Sequence, residues 1–202
     1  NLQQRAQTTG QEATAEVSSN MDIKAIEGIR GGNDTGDGNL SDTIDFLKLR
    51  LSSSAGATEM DLSQLVVTIS DADERNVLKY EKNSSANGVY TVNHAKTEFT
   101  LNAIRDEDET FSKTNPVMNR GDLITLNVST INSTDAINSV DGAKSLDEIN
   151  GITNMDGAQE SGLDLDPRTT VKLTLTPETD TSKQINFMTP PSYCFDKRII
   201  FH

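Results

Sequence analysis

The feature that most constrains the fold of this chain is a series of short segments in which apolar and polar residues alternate. In the stretch LKLRL (47–51), for example, every second residue is leucine and the residues between are basic. A period of two is that of a β-strand with one buried face. Ile44 and Phe46 have the opposite parity to these leucines, so we predict a β-bulge near Phe46.

Further segments of this kind follow, separated by turns rich in Gly, Asp, Asn and Ser, and together they predict about eight or nine short strands. Strands at this spacing are typical of an antiparallel β-sandwich or barrel and not of βαβ units. The fold class is therefore predicted as mainly β. The other segments are MDIKAIEGI (21–29), Leu65/Val67/Ile69, Leu78/Tyr80, Phe99/Leu101/Ala103, Ile124/Leu126/Val128, Val171/Leu173/Leu175 and Ile185/Phe187.

The first twenty residues follow a different period, because small and apolar residues recur there at spacings of three and four. This spacing predicts a short N-terminal α-helix segment with a narrow apolar stripe. A stripe of small residues suits close packing against other helices, although an amphipathic helix lying on its own domain has the same spacing. The stripe consists of Leu2, Ala6, Gly10, Ala13 and Val17.

The two periods divide the chain into a helix segment, residues 1–20, and a β-sandwich domain, residues 21–202. Two stretches interrupt the strand pattern of the β domain: the Gly-, Asp- and Asn-rich residues 30–42 and the long polar segment 130–165. We predict that residues 130–165 form a polar surface insertion, because loops of this length in compact domains are usually functional or mobile.

Composition excludes several classes of function. The net charge of −13 argues against nucleic acid and anionic lipid as partners, because proteins that bind them carry Lys and Arg. One cysteine, Cys194, and two histidines leave no disulfide framework and no cysteine-based zinc site. His94 lies in a turn-like stretch, where a solvated histidine is commoner than a catalytic one. Since no nucleophile or phosphate-binding motif is present, we predict a protein that is not an enzyme and has no small-molecule substrate.

Five Asn-x-Ser/Thr sequons without proline at the middle position predict an exported glycoprotein. Asn127 lies on the polar parity of its predicted strand, so we expect its side chain to point outward. Chance occurrence in a chain rich in Asn, Ser and Thr is the alternative. The sequons begin at Asn33, Asn39, Asn83, Asn127 and Asn132.

The densest group of carboxylates is the stretch IRDEDETFS (104–112), at the end of a predicted strand. Alternation places Asp106 and Asp108 on one side of the chain, and the stretch NRGDLI brings Asp122 to the start of a strand that we expect to be the neighbour. Carboxylate oxygens from separate segments are the ligands that calcium and magnesium prefer. These residues therefore predict a site for one divalent cation, with a solvated acidic turn as the alternative.

With the helix and strands assigned, several segments resemble the archaellins, the archaeal flagellins. NLQQRAQTTGQEATAEVSS (1–19) resembles the lower half of their N-terminal helix. The resemblance continues in register through most of the chain and departs from the family at 30–42, at 130–165 and in the C-terminal CFDKRIIFH. The other matching segments are MDLSQLVVTISD (60–71), FTLNAIRDEDETFS (99–112), PVMNRGDLITLNVS (116–129), LDPRTTVKLTLTPETDT (165–181) and INFMTPPSY (185–193).

The resemblance implies a structural subunit of the archaellum filament that serves swimming motility and surface contact. Archaellins have a long hydrophobic N-terminal helix that bundles at the filament core, while an immunoglobulin-like β-sandwich faces outward. Residues 1–20 would then be the remainder of that assembly helix. Its hydrophobic part would precede residue 1 and would be the only part that contacts membrane, before assembly.

The resemblance also implies a homo-oligomeric helical filament, with or without other archaellins, located outside the cell. Family members are typically N-glycosylated, and some hold a metal ion in the outer domain, which supports Asp106, Asp108 and Asp122 as ligands. Two alternatives stay open: a type IV pilin-like adhesin and a calcium-dependent carbohydrate-binding surface domain. The second should carry an exposed aromatic platform, whereas the chain has no Trp and three Tyr.

Overall fold

A computed structural model of the chain describes residues 21–30, 40–54, 59–80, 96–131, 160–179, 181–194 and 198–201. The helix predicted for residues 1–20 lies outside these ranges. Within them the chain forms strands and one 3-10 turn, Leu62–Gln64. The strands are β1 (Met21–Ile29), β2 (Phe46–Ser53), β3 (Met60–Asp61), β4 (Val66–Ser70), β5 (Arg75–Tyr80), β6 (Glu98–Arg105), β7 (Val117–Met118), β8 (Leu123–Ser129), β9 (Thr170–Thr176), β10 (Lys183–Met188) and β11 (Arg198–Phe201).

Nine of these strands form one sheet in the order β10-β9-β4-β5-β6-β8-β2-β1-β11, and β3 pairs with β7 in a separate two-stranded ribbon. Neighbouring strands are antiparallel except β5 and β6, which run parallel where Lys79 pairs with Glu98 and Tyr80 with Phe99. The predicted mainly β fold is confirmed, with this one parallel pair as the exception to an antiparallel arrangement.

The long sheet curls until its two edges approach each other. Lys183 of β10 donates a hydrogen bond to the backbone oxygen of Met21 at 3.1 Å and lies 3.2 Å from the Asp22 carboxylate. Farther along the edges, the ring centroids of Phe187 and Phe201 lie 4.4 Å apart. No ladder joins β10 to β11 or β1 among the described residues. The sheet is therefore nearly closed, and side chains rather than backbone hydrogen bonds join its edges.

One hydrophobic core fills the curled sheet, and it consists mainly of the alternating residues that the sequence predicts to face inward. At its centre, Leu126 of β8 lies between Leu49 of β2 and Leu101 of β6, and all three side chains are fully buried. Burial of one such side chain stabilises the fold by about 1.5–3 kcal/mol. This core fixes the positions of β6 and β8, whose ends carry the acidic residues.

The β-bulge predicted near Phe46 is wrong. Phe46 pairs with Ser129 in an unbroken register between β2 and β8, and the register of β1 with β2 shifts instead between Ile23 and Ala25. Phe46 and Leu47 are both buried. Because this end of β2 is covered on both faces, the change of parity does not report an extra residue.

The boundaries predicted for the polar insertion, 130–165, are also wrong. Ile131 near its start and Leu163 and Leu165 at its end are fully buried. The Ser161 N–H donates a hydrogen bond to the backbone oxygen of Ile131 at 2.7 Å, which joins the two ends of the segment. These residues belong to the core, and the middle of the segment lies outside the described residues.

Candidate metal centre

The ends of β6 and β8 bring the acidic residues together. β6 ends at Arg105 and β8 begins at Leu123, and the two strands are antiparallel neighbours, so both ends of their connection lie at one end of the sheet. The register of this pair shifts between Ala103 and Arg105. Ala103, which alternation predicts to face inward, is exposed, although it pairs with the fully buried Ile124.

Three predicted ligands meet at this end of the sheet. Asp106, Asp108 and Asp122 each offer a carboxylate oxygen that lies within 4.8 Å of those of the other two. Asp108 is exposed, Asp106 is half-buried, and Asp122 is only 2% exposed. The structure thus places the three carboxylates as the sequence predicts, and their binding of a cation stays a prediction.

Asp106 shapes the turn that follows β6. Its two carboxylate oxygens accept hydrogen bonds from the backbone N–H groups of Thr110 at 3.1 Å and Phe111 at 3.0 Å. Within this turn Glu109 has a φ of 57°, in the left-handed region that residues with a side chain seldom adopt. The two hydrogen bonds stabilise this backbone and fix the position of the Asp106 carboxylate.

Asn119 joins two of the three carboxylates, those of Asp108 and Asp122, and the sequence reasoning did not identify it. Its side-chain nitrogen donates to Asp108 Oδ2 at 2.6 Å and to Thr110 Oγ1 at 2.9 Å, while its backbone N–H donates to Asp122 Oδ2 at 2.8 Å. The NRGD stretch could have indicated this role, because Asn favours the first position of a turn and Gly the third. Gly121 indeed has a φ of +103°, and Asp122 N–H closes the turn onto Asn119 O at 3.3 Å.

The environment shifts the pKa values of two of the carboxylates in opposite directions. Burial raises the pKa of Asp122 above its ordinary 3.8, and the charges of Asp106 and Asp108 raise it further. The hydrogen bond from Asn119 lowers the pKa of Asp108. A cation between the three carboxylates would relieve the repulsion that raises the Asp122 pKa and would favour its ionised form.

The spacing of the oxygens allows one divalent cation to contact all three carboxylates. Oxygens bound to one calcium ion at about 2.3–2.6 Å are at most roughly 5.2 Å apart, and the three carboxylate oxygens lie within 4.8 Å of one another. Calcium also accepts irregular arrangements of ligands, whereas magnesium requires a nearly ideal octahedron. Backbone or water oxygens would have to complete the roughly 6–8 ligands that calcium takes.

The expectation of an outward-pointing side chain at Asn127 is wrong. Asn127 is only 4% exposed, and its amide nitrogen donates to Thr100 Oγ1 at 3.4 Å. Its sequon partner Ser129 is 3% exposed. Polar parity fails as an indicator of exposure here because both faces of β8 are covered.

The other predicted sites lie outside the described residues. This holds for the sequons at Asn33, Asn39, Asn83 and Asn132, for His94, and for the helix stripe of Leu2, Ala6, Gly10, Ala13 and Val17.

Cys194 is described; it is exposed and has a φ of 46°, and nothing in the structure assigns it a role. In the described ranges, no helix has the length and apolar character of a membrane span.

The fold and the acidic centre define a class of protein: a β-sandwich domain with a cluster of three carboxylates at one end of its sheet. The chain matches the family model of archaeal-type flagellins over residues 1–187. It belongs to this family.

Known flagellins are similar to this chain over most of its length. Flagellin B2 of Methanocaldococcus jannaschii is 28% identical over 209 residues, which cover 98% of this chain and 79% of that relative. Flagellin B1 of Methanococcus voltae is 29% identical over 138 residues, or 64% of this chain and 60% of the relative. The crystal structure of archaeal flagellin FlaB1 from Methanocaldococcus jannaschii shares the fold, with a TM-score of 0.57 at 19% identity over 90% of this chain and 95% of that one.

The family decides the broad function. As an archaeal flagellin, the chain is a structural subunit of the archaeal flagellum filament, which serves motility, and it is not an enzyme. The resemblance noted in the sequence is thereby confirmed, as is the predicted β-sandwich fold.

Proposed function

We propose that this protein builds an extracellular filament from many copies of itself, with residues 1–20 in a central helix bundle and the β domain as the outer surface. The observation that supports this arrangement is the extent of the family match, which runs from residue 1 to residue 187 and so includes both the helix stripe and the β domain. Other archaellins are able to join the same filament provided that they present the same helix face.

The helix stripe suits a repeating contact between subunits. A head-to-tail contact that does not close on itself generates a helical filament instead of a ring. Ala6, Gly10 and Ala13 are small, and small residues allow neighbouring helices to approach closely. Contact with membrane is proposed only for sequence that would precede this segment, before assembly.

In this proposal the acidic centre stabilises the fold of the outer domain and has no catalytic role. One calcium ion held by Asp106, Asp108 and Asp122 would tie the turn after β6 to the start of β8. Support comes from the proximity of their oxygens and from the raised pKa of Asp122. This stabilisation is useful in a filament, because the unfolding of one subunit would expose the contact surfaces of its neighbours to the medium.

The proposed location outside the cell also suits N-glycosylation. We propose glycans at the sequons Asn33, Asn39, Asn83 and Asn132, and not at the buried Asn127. Attachment requires an accessible side chain, because a glycan is bulky and solvated.

The assembly proposal is tested in an archaeal host whose own flagellin gene has been replaced by that of this protein. Sheared surface filaments should contain the chain, and gold-labelled antibodies against the β domain should mark the filament along its whole length. The variant Ala13→Glu, in the stripe, should give no filaments, whereas Gln11→Glu, off the stripe, should assemble normally. Filaments of Ala13→Glu as abundant as wild type would contradict the role of the stripe.

A further inference from the structure

One outer face of this acidic protein carries no acidic residue. Asp and Glu make up 31 of the 202 residues, yet none lies on the outward side of the four neighbouring strands β10, β9, β4 and β5. Three cations, Arg75, Lys79 and Lys172, lie on this side, among Thr, Ser, Val, Gln, Asn and Met. The outward residues are Gln184, Asn186 and Met188 of β10, Thr170, Lys172, Thr174 and Thr176 of β9, Val66, Thr68 and Ser70 of β4, and Arg75, Val77 and Lys79 of β5.

Two of the cations flank a shallow depression. Ser70 pairs with Arg75 on one side and with Lys172 on the other, so the two cations stand at one level, about 10 Å apart across two strand spacings. Neither makes a side-chain hydrogen bond or ion pair with any described residue. The depression encloses about 290 Å³, and we call it the cationic cup; its lining is Thr68, Ser70, Arg75, Lys172, Thr174 and Gln184.

Two unpaired carboxylates protrude from the turn at the end of β6. Glu107 and Glu109 are exposed and, among the described residues, take part in no hydrogen bond or ion pair through their side chains. They alternate with Asp106 and Asp108, which the neighbouring backbone and Asn119 hold in place. The turn therefore presents two free negative charges from a fixed backbone.

The cup and this turn lie at opposite ends of the same sheet. β5 and β6 run parallel, with Tyr80 beside Phe99. Arg75 is five residues before Tyr80, and Arg105 is six residues after Phe99. At a rise of about 3.3 Å per residue, the two ends are roughly 35 Å apart along the strands. The opposite charges thus cannot meet within one chain, but they can meet between copies stacked head to tail.

We propose that the cationic cup of one subunit receives Glu107 and Glu109 of the next subunit in the filament. This inference rests on the proposed homopolymer, and it adds a specific contact between outer domains. Because the two surfaces differ, the contact is heterologous and leaves a free cup at one end and a free turn at the other. Repetition then continues along the filament, and the net charge of −13 makes this basic face the favoured place for an acidic partner.

The contact is expected to be sensitive to salt. Exposed ion pairs are weak singly and are screened beyond roughly 8–10 Å at physiological ionic strength. Two pairs in every subunit would still act together along a polymer. Raising salt should therefore loosen the outer domains without disrupting the apolar helix bundle.

Reversal of the charges tests the contact in filaments assembled by the full chain in cells. Arg75→Glu with Lys172→Glu should lower the yield of sheared filaments about tenfold, since two attractions become repulsions. Adding Glu107→Lys and Glu109→Lys to that variant should restore the yield. The matched control, Lys79→Glu with Arg168→Glu, changes the same charge outside the cup and should assemble like wild type. Equal losses in cup and control variants, or no rescue by the fourfold variant, would overturn the proposal.

Cross-linking gives a second readout that does not depend on yield. In a Cys194→Ser background, filaments carrying both Lys172→Cys and Glu107→Cys are treated with a bismaleimide about 10 Å long. Because the two positions in one subunit are roughly 35 Å apart, any link between them joins two subunits, and a ladder of covalent oligomers is expected. Chains with either cysteine alone should give no ladder. Filaments without a ladder in the double variant would refute the contact alone, whereas failure of wild type to form filaments would refute the homopolymer.

Discussion

Replacing Asp122 by Asn should abolish the stabilisation of the β domain by calcium and leave the calcium-free fold intact. Asp122 is 2% exposed and lies beside two other carboxylates. An asparagine keeps a side-chain oxygen that can accept the hydrogen bond from the Asn119 N–H, now 2.8 Å from Asp122 Oδ2. The substitution therefore removes one ligand charge from the proposed centre while the turn retains its hydrogen bond.

The size of the effect follows from linkage. A ligand that binds only the folded state stabilises it by about 2.7 kcal/mol at a free concentration of about 100 times its Kd. A domain of about 200 residues shifts its Tm by roughly 2–4 °C per kcal/mol. Saturating calcium should therefore raise the Tm of the wild-type chain by roughly 5–11 °C, and that of Asp122→Asn by less than about 2 °C.

The stabilisation by calcium should depend on pH, and the shifted pKa of Asp122 gives the direction of that dependence. Without an ion, burial and the neighbouring charges raise the folded-state pKa of Asp122 above its ordinary 3.8. The folded state then holds this proton more tightly than the unfolded state, so this group favours folding below its ordinary pKa and loses that contribution as pH rises through the raised value. Calcium binds the ionised form. The calcium-dependent rise in Tm should thus grow between about pH 4 and pH 7.

Thermal unfolding followed by circular dichroism, in chelator and in excess calcium, measures these shifts. Asp73→Asn, on an exposed turn elsewhere in the sheet, is the matched control and should keep the full calcium response. A calcium response of Asp122→Asn equal to that of wild type, or none in wild type, would refute the reasoning.

Three further predictions concern the core, a close approach and the glycans. Leu126→Ala, at a fully buried site between two strands, should lower the free energy of unfolding by about 3–4 kcal/mol in guanidinium. Ile104→Ala, at a residue that is 53% exposed, should lower it by under about 0.5 kcal/mol. Equal losses in the two variants would contradict the assigned core. Gly28→Ala should lower the Tm, because its Cβ would lie 2.9 Å from Ile44 Cδ1 in the packed interior; an unchanged Tm would show that this contact yields. Glycopeptide mass spectrometry of native filaments should find Asn127 unmodified, and a glycan there would contradict its burial.

The strands could be predicted because a period of two reports which face is buried. In β9, for example, the predicted inward residues Val171, Leu173 and Leu175 are all fully buried. The acidic centre was also accessible to sequence reasoning. Asp106 and Asp108 share one side of a strand end, and a short connection returns the chain to Asp122.

What the sequence did not predict depends on neighbours in space. Asn127 has the parity of an exposed residue, yet it is buried, because successive residues on both faces of β8 are buried. Leu163 and Leu165 stand in a polar stretch but complete the core. The cationic cup joins Arg75 and Lys172, which are far apart in the sequence, through the register of β4 with both neighbouring strands.

The most direct test of the proposed subunit arrangement is a cryo-electron microscopy map of the filament assembled from this protein in cells. We predict residues 1–20 in a bundle on the filament axis, with the β domain as the outer layer and Glu107 facing the cationic cup of the adjacent subunit. A map with the β domains at the axis, or with residues 1–20 on the outer surface, would contradict it.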